Sequence, residues 1–298
     1  MDSRTVGLFF KKDKKLSADI ADRVMRADYG DQAVEFVVGE DSGGDRYLPP
    51  ANGDGLFQKL EFALSIGGDG TFLRTARTLK ALGAPLYGIN AGRLGFLASG
   101  KQEDAALDVM RILSGDYSLQ SRASIHCKLQ RSDGTSETIF AMNEIVISKG
   151  SLSHPIDLRV LVGGETLYRF LADGIIISTP TGSTAYALSA GGPVVHPDVR
   201  CILLVPICPH SLYPRPIVMA GSESIEIRLA GESEKMYLSG DGLVNMRLGQ
   251  GDKVMAMLDE SGINMIKLGR SSYYETLQKK LGWGVLTQNQ NGGDPGDD

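Results

Sequence analysis

Ser65-Ile66-Gly67-Gly68-Asp69-Gly70-Thr71 and Asp173-Gly174-Ile175-Ile176-Ile177-Ser178-Thr179-Pro180-Thr181-Gly182-Ser183-Thr184-Ala185-Tyr186 share one layout: a short apolar run, then glycine and hydroxyl residues with one acid. Each leads into a helix-compatible stretch. In a strand–loop–helix arrangement, backbone N–H groups and a helix N-terminus converge on one spot and hold phosphate. Two such loops in one chain point to a nucleotide held between two structural units.

Outward from the first loop the pattern alternates. Thr5 to Phe10 reads as a strand, Leu16 to Ala27 as an amphipathic helix, Val34 to Val38 as a strand and Gly39 to Gly55 as a loop. Phe62 to Ile66 reads as a buried strand, Thr71 to Leu82 as a helix, Pro85 to Ile89 as a strand and Ala105 to Leu113 as a further helix. This alternation predicts an α/β unit with a parallel sheet, whose ligands sit beyond the carboxyl ends of the strands. From about Ser118 the pattern becomes strand-rich. Ile125 to Gln130, Thr138 to Ile147, Ile156 to Val162, Thr166 to Leu171 and Gly174 to Ser178 form a first series. Ile202 to Val205, Ser224 to Leu229, Lys235 to Leu238, Lys253 to Leu258 and Met265 to Leu268 form a second. The expectation is an α/β N-terminal domain over residues 1–117, closed by a C-terminal helix within 270–284. A β-rich domain covers 118–269, and 285–298 is a disordered tail rich in Asn, Gly and Asp.

Composition narrows the function. The formal net charge of −5 disfavours nucleic acid as the main partner. No apolar run approaches the roughly 20 residues of a membrane span, and Met1 to Arg4 lacks a signal-peptide core. A cytoplasmic protein is expected. Cys127, Cys201 and Cys208 have no metal-ligand spacing and read as reduced apolar residues. Lys11, Lys12, Lys14 and Lys15 form a basic patch, read either as a solvated helix entrance or as a phosphate attractor.

Within the motifs, Asp69 admits three readings: proton acceptor for an attacking hydroxyl, Mg²⁺ ligand, or N-cap of the following helix. Residues 179–184 hold four hydroxyls and a glycine, more than a cap needs, and Tyr186 offers an aromatic face. Asn143-Glu144 interrupts an apolar strand, so one of the two faces a core or a cleft, where ribose hydroxyls would serve as partners; a polar pair at a hairpin edge is the other reading. No Walker-type Gly-x4-Gly-Lys loop, hydrolase spacing or zinc-like cluster is present in the sequence.

These elements resemble the NAD kinases: Gly67 to Gly70, Asn143-Glu144, Thr179 to Tyr186 running on to Ser189-Ala190-Gly191-Gly192-Pro193, and Pro206 to Leu212. The Gly-Gly-Asp-Gly element is shared with diacylglycerol and sphingosine kinases and 6-phosphofructokinases; the Thr-Pro-Thr-Gly-Ser-Thr-Ala-Tyr element is particular to NAD kinases. The resemblance runs from about Val6 to Trp283. It implies an N-terminal α/β domain with a C-terminal β-rich domain, and ATP-dependent phosphorylation of the adenosine 2′-hydroxyl of NAD with Mg²⁺ or a similar cation. It makes Asp69 the general base and gives nucleotide contacts to Gly70, Arg74, Asn143, Glu144, His154 and Asp173. The run Thr184, Ala185, Tyr186, Ala187, Leu188 and Ser189 would line the dinucleotide pocket. Family members are homodimers or homotetramers in which a neighbouring subunit completes the pocket. Two positions depart from the pattern: Leu171 where a basic residue is common, and Leu243 where relatives read Asp-Gly-Gln. A lipid kinase is disfavoured by the absence of a basic amphipathic helix. A non-catalytic NAD(H) sensor is disfavoured by the retention of Asp69.

Overall fold

The computed structural model describes residues 3–41, 43–49, 54–92, 95–150, 154–229, 236–269 and 272–283. The expected tail, 285–298, lies outside the described residues, as does Lys235 at the start of one expected strand. In chain order, β1 (Arg4–Phe10), α1 (Lys15–Arg26) and β2 (Val34–Val38) are followed by the short strands β3 (Glu40–Asp41) and β4 (Tyr47–Leu48) and the short helix α2 (Asp54–Phe57). Then come β5 (Phe62–Gly67), α3 (Asp69–Leu79), β6 (Leu86–Asn90), β7 (Gly100–Lys101) and α4 (Ala105–Leu113). The β-rich part holds β8 (Ser118–Gln130), β9 (Ser136–Ala141), β10 (Glu144–Lys149), β11 (Ile156–Val162), β12 (Glu165–Ala172) and β13 (Gly174–Ser178). After the four-residue helix α5 (Tyr186–Ser189) it continues with β14 (Cys201–Ile207), β15 (Ile217–Ala220), β16 (Ile225–Leu229), β17 (Met236–Gly240), β18 (Val244–Leu248) and β19 (Lys253–Lys267); α6 (Tyr273–Leu281) is the last element among the described residues.

β2, β1, β5 and β6 pair in parallel, as the alternating pattern predicts. Both faces of this sheet are covered. α1 and α4 bury Ile20, Val24, Val109 and Ile112 on one side, and α3 buries Phe72, Ala76 and Leu79 on the other. The β-rich part is a sandwich. Its six-stranded sheet runs β15-β14-β13-β10-β17-β18 and faces β8, β9, β11, β16 and β19 across a core that includes Ile145, Ile177, Leu204, Leu158, Val160 and Val254.

Several expectations change. Lys253 to Leu258 and Met265 to Leu268 are not separate strands, because β19 runs through both, with a register shift between Asp259 and Ile263. Beyond that bulge Met265 pairs in parallel with Leu86, so one sheet passes through both units. Thr138 to Ile147 is not one strand but two, β9 in one sheet and β10 in the other, with a corner at Met142-Asn143. The stretch Gly39 to Gly55 is not all loop, since β3 pairs with β4 inside it. Finally, the pattern missed the first half of β8 and all of β18, whose alternation is partly exposed and polar, and β15, a four-residue apolar strand at a sheet edge.

Candidate functional site

Asp69 is the first residue of α3, and Gly68, not Asp69, is its N-cap. The N-cap reading therefore fails. The carboxylate turns sideways instead: Phe96 N–H donates to Oδ2 (3.0 Å) and Leu97 N–H to Oδ1 (3.1 Å). A β-carbon at position 95 would stand 2.0 Å from Asp69 Oδ1, so any residue but glycine there must displace the carboxylate. The half-buried carboxylate is thus fixed in plane by two N–H groups while its loop stays open.

Gly68 and Gly70 are exposed and line a cleft of about 470 Å³ together with Lys11, Lys14, Lys15 and Arg74. The lysines that follow β1 and the glycine loop that follows β5, distant in sequence, meet here because the two strands are parallel neighbours. Arg74 is held by Asp41 (Nη1 to Oδ1, 2.5 Å) and lies over the Tyr47 ring at 5.6 Å. Leu243 also reaches this cleft, and packs against the apolar cluster under α3.

A second group of residues forms at the corner between β9 and β10. The Asp241 carboxylate accepts from the N–H groups of Met142 (2.8 Å), Asn143 (2.8 Å) and Glu144 (3.1 Å). Asp241 takes a left-handed backbone (φ 53°), which Asp tolerates better than most residues. These three bonds hold the turn between β9 and β10, where Met142-Asn143 forms the corner and Glu144 begins β10. Arg77, two turns along α3 from Asp69, approaches the Gly240 carbonyl at 3.5 Å and is buried beside Asp241. Glu144 is 7% exposed, and its Oε2 is buried without a partner. Burial first, and then the negative Asp241, push the Glu144 carboxyl up to about 8, against the opposing effect of the Tyr186 N–H bonded to it. Burial also raises Asp241, but three N–H bonds and Arg77 oppose that shift. The net direction for both carboxyls is upward, with Asp241 held back by its N–H donors and by Arg77.

The hydroxyl-rich loop behaves differently from its sequence reading. Thr179 Oγ1 donates to the Met142 carbonyl (2.7 Å) and accepts from Gly182 N–H (3.1 Å). Ser183 Oγ donates to the Pro180 carbonyl (2.6 Å) and accepts from Val195 N–H (3.0 Å), and Thr184 Oγ1 donates to the Thr181 carbonyl (3.2 Å). These hydroxyls bind backbone, as local side-chain bonds commonly do. Thr181 Oγ1 alone among them is buried without a partner. Gly182 is needed because a β-carbon there would lie 2.2 Å from the Asn143 carbonyl oxygen. Within the run 184–189, Tyr186 and Ser189 are exposed, Thr184, Ala185 and Leu188 are half-buried, and Ala187 is buried in the core under the loop.

Two candidates sit elsewhere in the chain. Asp173 precedes β13 and pairs with Lys149 (2.5 Å), while the Thr179 corner follows the strand, so about 20 Å separates them at ~3.3 Å per residue. His154 is exposed at the entrance to β11, whose Ile156 pairs with Ala172 beside Asp173. Leu171 is exposed there, and its carbonyl accepts from His210 N–H (2.8 Å). Sequence reading missed Gly95, Arg77 and the structural task of Asp241. Gly95 carried the one usable signal, a glycine closing Gly92-Arg93-Leu94-Gly95 just past a strand end.

A cationic, glycine-lined cleft beside an oriented carboxylate, on an α/β unit joined to a β-sandwich, defines a nucleotide-binding phosphotransferase. Residues 56–117 match the ATP-NAD kinase N-terminal domain and residues 142–268 the ATP-NAD kinase C-terminal domain. The NAD kinase of Geobacter metallireducens is 40% identical over 224 residues, covering 75% of this chain and 79% of that protein. That of Aquifex aeolicus is 40% identical over 224 residues, covering 75% and 82%. Among solved structures, an NAD kinase from Archaeoglobus fulgidus in complex with ATP superposes with a TM-score of 0.68 at 25% identity, covering 94% of this chain and 98% of that one. Yeast NADH kinase, complexed with NADH, shares the fold at a TM-score of 0.84 and 24% identity, covering 96% and 89%. The chain belongs to the NAD kinase family of enzymes. No helix among the described residues is long and apolar enough to cross a membrane.

Proposed function

We propose that the chain transfers the γ-phosphoryl group of ATP to the adenosine 2′-hydroxyl of NAD, giving NADP, with Asp69 as general base. The observation that carries this reading is the juxtaposition of the Asp69 carboxylate with a cleft lined by Lys11, Lys14, Lys15, Arg74 and exposed glycine backbone. Phosphoryl transfer asks a protein mainly for positioning and charge neutralisation. In the step, the 2′-oxygen forms a bond to the γ-phosphorus, the bond to the β–γ bridging oxygen breaks with ADP leaving, and the 2′-hydroxyl proton passes to Asp69. The lysines and Arg74 offset the triphosphate charge, and the two N–H bonds hold the carboxylate plane ready to accept the proton. The ATP complex of the Archaeoglobus relative supports ATP as donor.

The described residues hold no group of three or more His, Cys, Asp or Glu side chains able to enclose a metal. Mg²⁺ needs no such cage, since it keeps waters and is held largely by substrate phosphates, so a divalent cation would arrive on ATP while Asp69 remains the proton acceptor. Bound, the ion would neutralise phosphate charge. The orphaned Glu144 Oε2 and Thr181 Oγ1 are suited to ribose hydroxyls, with Asn143 and Tyr186 beside them. His154 and Asp173 serve this site from a neighbouring subunit, a reading supported by their place at the far end of β13. The test incubates purified protein with ATP, Mg²⁺ and NAD, couples the product to an NADP-specific dehydrogenase, and locates the new phosphate by NMR. A product phosphorylated at another hydroxyl, or no product, overturns the proposal.

A further inference from the structure

Gly95 and Phe96 also border a second cavity, of about 380 Å³, walled by Tyr87, Phe96 and Tyr273 and entered by Arg122, Lys267 and His196. Its charge is unbalanced. Arg122 is 6% exposed, its Nη2 donates to Gln120 Oε1 at 3.1 Å, and its Nε is buried with no partner. Lys267 forms no ion pair among the described residues. Burial, and then the charge of Arg122, push its ammonium down to about 8 against the opposing pull of Asp198. The one carboxylate in the lining, Asp198, is engaged by Gln120 Nε2 (2.7 Å), lies 3.7 Å from His196 Nδ1 and is 57% exposed. Two cations, Arg122 buried and Lys267 half-buried, thus share a single half-exposed carboxylate, and a bound anion would offset the remaining charge.

We propose that this cavity is a second anion site, taking a phosphate group as orthophosphate or as a small phosphomonoester, with Arg122 Nε and Lys267 Nζ as donors. The N-terminus of α6 borders the cavity but adds little, because the Ser272–Glu275 capping box already satisfies it. The aromatic walls and a volume beyond a bare phosphate leave room for a short organic tail. The site is wired to the catalytic loop. Phe96 forms its wall, lies under Lys280 of α6 at 5.8 Å, and donates its N–H to Asp69. A ligand seated against Phe96 therefore bears on the segment that orients the carboxylate.

The experiment titrates orthophosphate and glycerol 3-phosphate calorimetrically into wild type, Lys267→Gln and Arg122→Gln, with thermal midpoints measured alongside. The difference between wild type and variant isolates this cavity from any anion binding in the lysine-lined cleft. The expected result is saturable binding in wild type that weakens about tenfold or more in Lys267→Gln, as loss of a charge-assisted bond predicts. The ligand-free thermal midpoint of Lys267→Gln should hold or rise, because an unpaired cation has been removed. Tighter binding of glycerol 3-phosphate identifies an ester as the occupant, and tighter orthophosphate the free ion. Equal affinity and equal thermal shift in wild type and Lys267→Gln, or no binding by wild type, overturn the proposal. If Arg122→Gln fails to fold, Lys267→Gln alone decides it.

Discussion

Gly95 and Asp69 touch so closely that a β-carbon on residue 95 would stand 2.0 Å from the carboxylate oxygen Oδ1. The loop and the acid are therefore one device: the loop's N–H groups aim the carboxylate, and the missing side chain leaves room for it. Gly95→Ala should displace the carboxylate and lower kcat by about tenfold or more, while the thermal midpoint moves little, since misplacing a reacting group is costly. Steady-state kinetics beside a thermal melt check this; unchanged kcat would show that the aim of Asp69 is irrelevant to turnover.

Asp69→Asn nearly preserves size but removes the proton acceptor. Turnover should fall by about 10²–10⁴, the usual range for a general base, with NAD still bound by calorimetry. Near wild-type turnover at saturating substrate would remove Asp69 from that role.

Glu144 gives the fold a pH dependence with a definite sign. Its carboxyl rises from 4.5 to about 8 in the folded chain, so between those values the native state holds a proton that the unfolded state has lost. Stability from this group therefore falls as pH rises through that window. Glu144→Gln should flatten the decline, with a larger gain in thermal midpoint at pH 8 than at pH 5. Parallel profiles for the two proteins would mean that Glu144 titrates normally.

The surroundings of Gly182 and Leu243 set what substitution there does. Gly182 abuts the Asn143 carbonyl oxygen, not an open ligand space. Gly182→Val should thus lower the thermal midpoint as well as nucleotide affinity; weaker binding with unchanged stability would contradict the packing. Leu243 packs against the cluster under α3, so Leu243→Gln should destabilise by about 1 kcal/mol from lost apolar burial and leave NAD affinity no tighter. Denaturant titration and calorimetry read both quantities.

If Asp173 serves a neighbouring active site, inactive Asp69→Asn and Asp173→Ala chains should complement. Mixing them under conditions that exchange subunits would restore part of the activity, because some pockets then receive a sound residue from each chain. No recovery from mixed oligomers would confine Asp173 to its ion pair with Lys149.

The parallel α/β unit was legible because β5, β6 and α3 carry unbroken apolar patterns. Asp69 was legible because glycines around an acid at a strand end have few structural uses. What the pattern concealed are contacts between distant segments. The corner at Asn143 is held by Asp241, nearly a hundred residues later, which captures three N–H groups. The hydroxyls of 179–184 looked like ligand donors because sequence does not show which carbonyls they will meet. Leu243 looked like a lost polar contact because the apolar cluster it joins is assembled from several distant segments.

The strand β19 belongs to both units at once, pairing with β8 and β16 in the sandwich and with β6 in the α/β sheet. A shared spine of this kind cannot be broken on one side without stripping a partner from the other. The two halves should accordingly melt together, as a single calorimetric transition, and a protease should find no long-lived half-molecule to release.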